Sequence, residues 1–448
     1  MQNIYDNKSK IYRQLFILLS SIFVFYMALS PSGNSTGNLL SVLIASFAGA
    51  VSIIYTILLL SPPQKYKVLT ITLGFYLVKI GVGIFVYIFF IDTTYFSSNT
   101  DSLDYIWEYE WMHKSLIEIS NQWNERYPLY ISDHFIQVNK NAYIFQLFGG
   151  LYYFGGTHAL NIAPWNAFFM FLSSMLIYIL TLSMWGNSKF ALTALVVSSL
   201  QPIHLISSSF DRHSVGLFLV LLSFFLITYT SRKALINIFL MFIAGVIASG
   251  MRKPYFVIPI IVFIYKAVDG RLNQRNILIS ILIVVIALIT LYATYDIVFS
   301  RFIGVDSPRI VDKIYQFPKL LIRSIFGVFP WNQIFDPVPS REILFQYMLQ
   351  APYNITMVYF SFRFLLTHKV SRNIKSVFLY VALFYLSGVI ATENHIDYLS
   401  MSIPLLAIIV SRYPLVRVLI VYASWIGVFI LGSAVYTMLG LYGSGNIF

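Results

Sequence analysis

The chain contains no cysteine. That excludes a disulfide framework, a zinc–thiolate centre and a cysteine nucleophile. Charge is scarce too: 11% of the 448 residues are Asp, Glu, Lys or Arg, whereas 58% are hydrophobic and 17% aromatic. A soluble domain of this length cannot cover its surface with so few charges, so the composition is that of a multi-spanning helical membrane protein. No glycine-rich phosphate loop occurs, which excludes a nucleotide-hydrolysing engine, and no His-Glu-x-x-His helix or comparable metal signature is present. No soluble domain, linker, low-complexity tract or internal repeat interrupts residues 1–448, which read as a single membrane domain. The net charge of +12 follows from cationic inner loops, not from a nucleic-acid partner.

What is present is a series of apolar runs. Membrane segments are expected near 14–31, 38–60, 68–91, 141–157, 165–185, 190–210, 214–230, 234–251, 254–268, 277–297, 343–366, 376–392, 398–411 and 414–434. Most approach the ~20 residues that cross ~30 Å of hydrocarbon, and all should be helical, because a lipid-exposed strand leaves backbone groups unpaired. The first run follows Lys8, Lys10 and Arg13 like a signal peptide, but no small-x-small cleavage site follows it, so a retained span is expected. Segment 141–157 is short and carries Gly149, Gly150, Gly155 and Gly156. If it crosses, many later cations fall outside. If it dips in and returns, 17 Lys and Arg with 2 Asp and Glu lie inside, against 12 and 16 outside, with Lys79 in mid-membrane, to snorkel or to pair within the bundle. The expectation is therefore an all-α polytopic protein of about 13 transmembrane helices plus a re-entrant segment. Its N-terminus is cytoplasmic and its C-terminus periplasmic or extracellular.

That topology gathers the polar clusters on the outer face. Loop 92–140 is acid-rich, with tryptophans and tyrosines interleaved as for interfacial helices. Within it Asp101 and Asp104 share a helix face, followed by Tyr105 and Glu108. Such a pair holds a divalent cation or supplies a general base; a solvated acidic loop is the plainer reading. Asp211-Arg212-His213 breaks two closely joined spans, either as a phosphate grip or as a hydrophilic turn. Arg252 and Lys253 stand against the positive-inside bias at the outer end of a span, at about 2–3 kcal/mol each unless paired or hydrated, and suit a lipid-linked phosphate. Loop 298–342 mixes cations with Phe329-Pro330-Trp331, where Trp331 is a stacking surface or a membrane anchor. Glu393, His395 and Asp397 form a further candidate acid–base or phosphate-orienting cluster. Asn34-Ser-Thr36 and Asn354-Ile-Thr356 match glycosylation sequons, a weak signal.

Asp101-Ser-Leu-Asp104-Tyr105, the Tyr143…Gly150-Leu-Tyr-Tyr-Phe-Gly155 stretch, Ser209-Phe-Asp211-Arg212, Gly250-Met-Arg252 and Phe329-Pro330-Trp331 together resemble, over roughly residues 90–410, the GT-C class of membrane glycosyltransferases. They are also similar to bacterial O-antigen and capsule polymerases. Where relatives often carry Arg in the last outer motif, this chain has Glu393-Asn-His395-Ile-Asp397. The resemblance implies a GT-C-like fold and a polyprenyl-phosphate-dependent activity in the inner membrane. A sugar or glycan repeat unit would pass from a polyprenyl-(di)phosphate-linked donor to a lipid or glycan acceptor. Asp101 or Asp104 would activate the acceptor, directly or through a divalent cation, with Asp211 as a further catalytic carboxylate. Arg212, Arg252 and Lys253 would neutralise the leaving phosphate, and His213 or His395 would orient or protonate it. Repeat-unit polymerisation is the alternative within enzymes. A flippase for lipid-linked glycans is the rival from another class; the missing repeat and the one-sided charge speak against it.

Overall fold

In the computed structural model the protein is described over residues 2–29, 39–86, 117, 150–156, 158–202, 213–228, 234–249, 255, 257–268, 341–391 and 401–438. Apart from short turns, the described residues are helical, with no strand among them. The helices are α1 (Gln2–Leu29), α2 (Leu39–Leu60), α3 (Lys65–Val86), α4 (Ile162–Trp185), α5 (Ser188–Ser199), α6 (His213–Thr228), α7 (Ala234–Ser249), α8 (Val257–Val268), α9 (Arg341–Thr367), α10 (Arg372–Ala391), α11 (Ala407–Val410) and α12 (Leu415–Met438). Among them, five helices are long and apolar enough to cross a membrane: Ile11–Leu29, Leu40–Leu60, Lys65–Phe85, Ile162–Trp185 and Leu415–Gly432. The chain is an all-helical membrane protein.

Helix α4 is the axis of the bundle. Its side chains from Ile162 to Thr181 are buried all round, with α2, α3, α5 and α6 packed against it. A helix apolar on every face belongs in a core or a bilayer; α4 is in both. Its upper half packs by rings, Phe25 stacking on Phe168 at 4.9 Å and Phe218 meeting Phe169 edge-on at 5.5 Å. At its lower end Gly186 adopts φ 64°, a left-handed cap whose N–H returns to Leu182 O, and Asn187 then caps α5 by accepting from Lys189 N at 2.9 Å. α2 and α3 touch where a glycine allows it: a Cβ on Gly49 would lie 2.6 Å from Tyr76 Cζ, and the Tyr76 hydroxyl donates to Ser46 O at 2.8 Å.

Contacts sort the loops by end. Tyr178 OH donates to Pro63 O at 2.9 Å and Gln64 Nε2 to Ser188 Oγ at 3.0 Å, so the α2–α3 link and the α4–α5 turn share one end. Trp185 Nε1 donates to Ile408 O at 2.8 Å, and its ring meets Phe364 at 5.9 Å. The Arg412 guanidinium lies 5.0 Å from the Trp185 ring and 4.7 Å from that of Phe190. The ends of α9 and α11 therefore join the same end, with Lys65, Lys67, Lys189, Lys369, Arg372, Lys375, Arg412 and Arg417 around it. At the opposite end Trp165 Nε1 donates to Tyr26 OH at 3.3 Å and Ser41 Oγ donates to Asn161 Oδ1 at 3.4 Å. α3 runs towards this opposite end and α4 starts from it. The facing ends of α3 and α4 thus lie on the same side, an arrangement compatible with segment 141–157 dipping in and returning.

In two expected spans the described helices are shorter than the apolar runs. In the run 190–210 helix α5 ends at Ser199, about 18 Å from Ser188 at 1.5 Å per residue, and Leu200 and Gln201 interrupt the helix. In segment 398–411 the described helix is a 3-10 turn, Ile403–Leu406, followed by α11, together about 14 Å. Pro404 fits the tight first turn, where a missing N–H costs no helical bond. Both elements fall well short of ~30 Å of hydrocarbon. α1 begins at Gln2 rather than near 14, carrying its cationic turn as an extension below the apolar run.

Candidate functional site

The two short helices meet inside the bundle. Ser199, at the end of α5, donates from Oγ to Ser174 Oγ on α4 at 3.0 Å. From Ser174 to Trp185 is about 16 Å of helix, so α5 stops near the middle of the bundle. Gln201 follows, fully buried. The Ile403–Val410 run descends beside α5 and against α9, and it starts from Ser402, also fully buried. From α9, Tyr353 OH donates to Val197 O at 3.0 Å. Gln350, three residues before Tyr353 and so on the same face, donates from Nε2 to Asn354 Oδ1 at 2.7 Å. The outcome is a buried polar seam of Ser174, Ser199, Gln201, Gln350, Asn354 and Ser402, where two helices break.

Asn354 Nδ2 and Ser402 Oγ have no hydrogen-bond partner among the described residues. A donor left so in an apolar interior costs about 1–3 kcal/mol, so a seam of this kind takes up oxygen acceptors, from water or a hydroxyl-bearing ligand. Burial also changes one expectation: Asn354 and Thr356 are 1% and 2% exposed, so the Asn354-Ile-Thr356 sequon is closed to a glycan. Thr356 Oγ1 instead donates to Pro352 O at 2.7 Å, beside the proline inside α9.

Next to this seam lies Lys79, 1% exposed, on α3. It does not snorkel to an interface. It lines a crevice of about 20 Å³ with Thr72, Tyr76, Ser174 and Ser199, room for about one water molecule. Ser174 and Ser199 belong to the crevice and to the seam at once. An intramembrane lysine is expensive in hydrocarbon and is retained where hydroxyls or a function stabilise it.

A second site is a turn at the head of α4. Asn161 Nδ2 donates to Gly155 O and Gly156 O, both at 2.9 Å, which fixes the glycine-rich segment to the start of α4. His158, half-buried in that turn, accepts the Leu160 N–H on Nδ1 at 3.2 Å. Its neutral ring therefore carries the proton on Nε2. Burial holds the His158 imidazole below its ordinary pKa.

Asp101, Asp104, Tyr105, Glu108, Asp211, Arg212, Arg252, Lys253, Trp331, Glu393, His395 and Asp397 lie outside the described residues. His213 opens α6. Of the described residues near those stretches, Val86, Gly155, His213, Ser249, Tyr255, Arg341 and Ala391 lie towards the end opposite the cationic one, as the paths of their helices require, whereas Pro202 and Met401 lie nearer the middle of the bundle. Among the described residues no group of three or more His, Asp and Glu gathers as for a metal. Sequence reasoning missed the seam, because its residues come from separate stretches (Gln201, the Gln350–Asn354 turn and Ser402) and none is charged. No protein-family model matches the chain, no curated protein matches its sequence and no solved structure matches its fold.

Proposed function

We propose that the chain is a membrane glycosyltransferase with a GT-C-like fold of about 13 spans, acting in cell-envelope polysaccharide synthesis. It passes a sugar or glycan repeat unit from a polyprenyl-(di)phosphate donor to an acceptor on the outer face of the inner membrane. The observation that carries this reading is the common end of the bordering residues. Val86, His213 and Ser249, which border the acid-rich, Asp-Arg-His and Arg-Lys stretches, lie towards the end opposite the cations, which favours carboxylates for an acceptor and cations for a leaving phosphate on one side of the membrane. In this reading the cationic end is cytoplasmic. Asp101 or Asp104 activates the acceptor hydroxyl, with or without a divalent cation, and Arg252, Lys253 and Arg212 stabilise the phosphate as its charge grows.

The test is to replace Arg252 with Ala and assay transfer from a lipid-linked donor with purified protein in proteoliposomes. Product should fall at least a hundredfold, about 2.7 kcal/mol of transition-state stabilisation, at unchanged protein level. Full activity rejects the assignment.

The seam favours a second reading. Two helices that break near mid-membrane beside buried amides are the architecture in which transporters bind cargo, so a flippase for lipid-linked glycans remains the competing function. The same proteoliposomes separate them: donor moved between leaflets without a new glycosidic bond is flipping, and an elongated product is transfer.

A further inference from the structure

Three helices close around the crevice beside Lys79: α3 supplies Thr72 and Tyr76, α4 supplies Ser174 and α5 supplies Ser199. Thr72, Tyr76 and Lys79 share one face of α3, and a helical side chain leans back towards the N-terminus, so Lys79 reaches back towards the other two. The hydroxyls of this lining have given their protons to other groups. Thr72 Oγ1 donates to Val68 O at 2.8 Å, Tyr76 OH to Ser46 O at 2.8 Å and Ser199 Oγ to Ser174 Oγ at 3.0 Å. What they keep are lone pairs, and only Ser174 among them has a proton left to give. Acceptors of this kind suit an ammonium, which has three N–H donors and no lone pair; a neutral amine would bring a lone pair of its own. α5 adds charge. It runs from Ser188 at the cationic end to Ser199 at the crevice, so its last carbonyls, the negative end of the helix dipole, stop beside the lysine. In a full-length span that end would lie at the membrane surface, screened by water. Here it lies about 18 Å in.

We infer that the crevice is a monovalent-cation site formed by the C-terminus of α5 and the surrounding hydroxyls, and that the Lys79 ammonium is its resident, tethered cation. Removal from water opposes the charged form. The hydroxyl lone pairs and the end of α5 offset that cost, together with one water in the crevice of about 20 Å³, which accepts from the ammonium and donates to the oxygens. The ends of broken helices are where membrane proteins coordinate small cations. Among the described residues no carboxylate lines the crevice and Tyr76 is its other titratable group, so neutral oxygens carry the whole of the stabilisation. A lysine in mid-span and a helix that stops half-way are each unfavourable alone, and here each is the other's partner. The site belongs to the scaffold, so it holds for a transferase and for a flippase alike.

One experiment reads the charge itself. The full chain, labelled with nitrogen-15 at lysine Nζ, is placed in nanodiscs at neutral pH, and the Lys79 resonance is assigned as the one lost in Lys79→Arg. The expected signal is an ammonium whose protons exchange slowly with solvent; an amine signal overturns the inference. A second experiment empties the site. Lys79→Ala should melt roughly 5 °C lower in choline chloride and regain about half of that loss in methylammonium chloride or sodium chloride, since small cations enter the vacated space and choline does not. The unaltered chain should melt alike in all three salts. Lys79→Met, similar in length and uncharged, should also melt lower, show no rescue by any cation, and exchange the amides of residues 197–201 roughly tenfold faster. If Lys79→Ala does not fold, the nitrogen signal and Lys79→Met carry the test. Equal melting of Lys79→Met and the unaltered chain overturns the inference. So does a Lys79→Ala variant that fails to distinguish methylammonium from choline, or an equal gain from the small cations in the unaltered chain.

Discussion

Helices α4 and α12 are both 24 residues long, and both are apolar enough to cross a membrane, yet 83% of the membrane window of α4 is buried within the protein against 11% of that of α12. Hydropathy alone does not separate them, because lipid tails are as apolar as leucine. What separates them is the number of rings and small polar groups and where they face, since α12 also holds Tyr422, Ser424, Trp425 and Phe429. α4 carries Trp165, Phe168, Phe169, Phe171 and Tyr178 together with buried Asn166, Ser173, Ser174 and Thr181. α12 shows Val416, Ile420, Val428 and Leu431 to its surroundings. Rings and small polar groups need neighbours of defined shape; branched aliphatics are content with lipid.

Truncation should break the symmetry between the two helices most visibly. Trp165→Ala should cost about 3–5 kcal/mol, since a fully buried indole leaves a cavity. Leu431→Ala, at a site 67% exposed, should stay within about 0.5 kcal/mol. Thermal unfolding of both variants in the same nanodiscs measures this; equal losses would mean that α12 is packed against something. Next in size is a pair of glycines. Gly49→Ala drives a methyl group into the Tyr76 ring and should cost about 1–3 kcal/mol through separation of α2 from α3. Gly427→Ala in α12 meets nothing within 4 Å and should be close to neutral, which the same unfolding assay can check.

The smallest effect is at the entry to α4. His158 favours its neutral form because burial lowers its pKa. The turn's contribution is then fully present above the unfolded value of about 6.5 and is lost as pH falls through the lower folded value. Protonation also places N–H against N–H at Nδ1 and Leu160. The protection factor of the Leu160 amide should decrease between pH 8 and pH 5, while amides in the middle of α12 keep theirs. Hydrogen exchange with mass spectrometry reads both, and a constant Leu160 protection factor rejects the coupling.

Long spans were legible in the sequence because a lipid-facing or all-apolar helix is written in consecutive residues: 38–60 became Leu39–Leu60, and 165–185 became Ile162–Trp185. Breaks were not. Hydropathy does not distinguish Leu200 from the run before it; the one local signal for the end of α5 at Ser199 is Pro202, which has no N–H and disfavours a helical Gln201. The common side of the facing ends of α3 and α4 agrees with the side that Lys and Arg alone suggested, since charge bias integrates over whole loops. The seam was out of reach. Val197 meets Tyr353, and Ser174 meets Ser199, across distances in sequence that no local period records. For Lys79 the sequence indicated a mid-membrane lysine that snorkels or pairs; of its hydroxyl neighbours Thr72 and Tyr76 share its helix, while Ser174 and Ser199 come from α4 and α5.

The shortness of α5 also bears on how the chain enters the membrane. Twelve residues are too few for a nascent helix to be held across the bilayer by its own hydrophobicity. The left-handed Gly186 and the Asn187 cap join it to α4 by the tightest of links, so the two are expected to partition from the translocation machinery as one hairpin, with α4 as the carrier. A glycosylation-mapped reporter should show α5 failing to insert alone and inserting when α4 precedes it; independent insertion of α5 would remove this dependence.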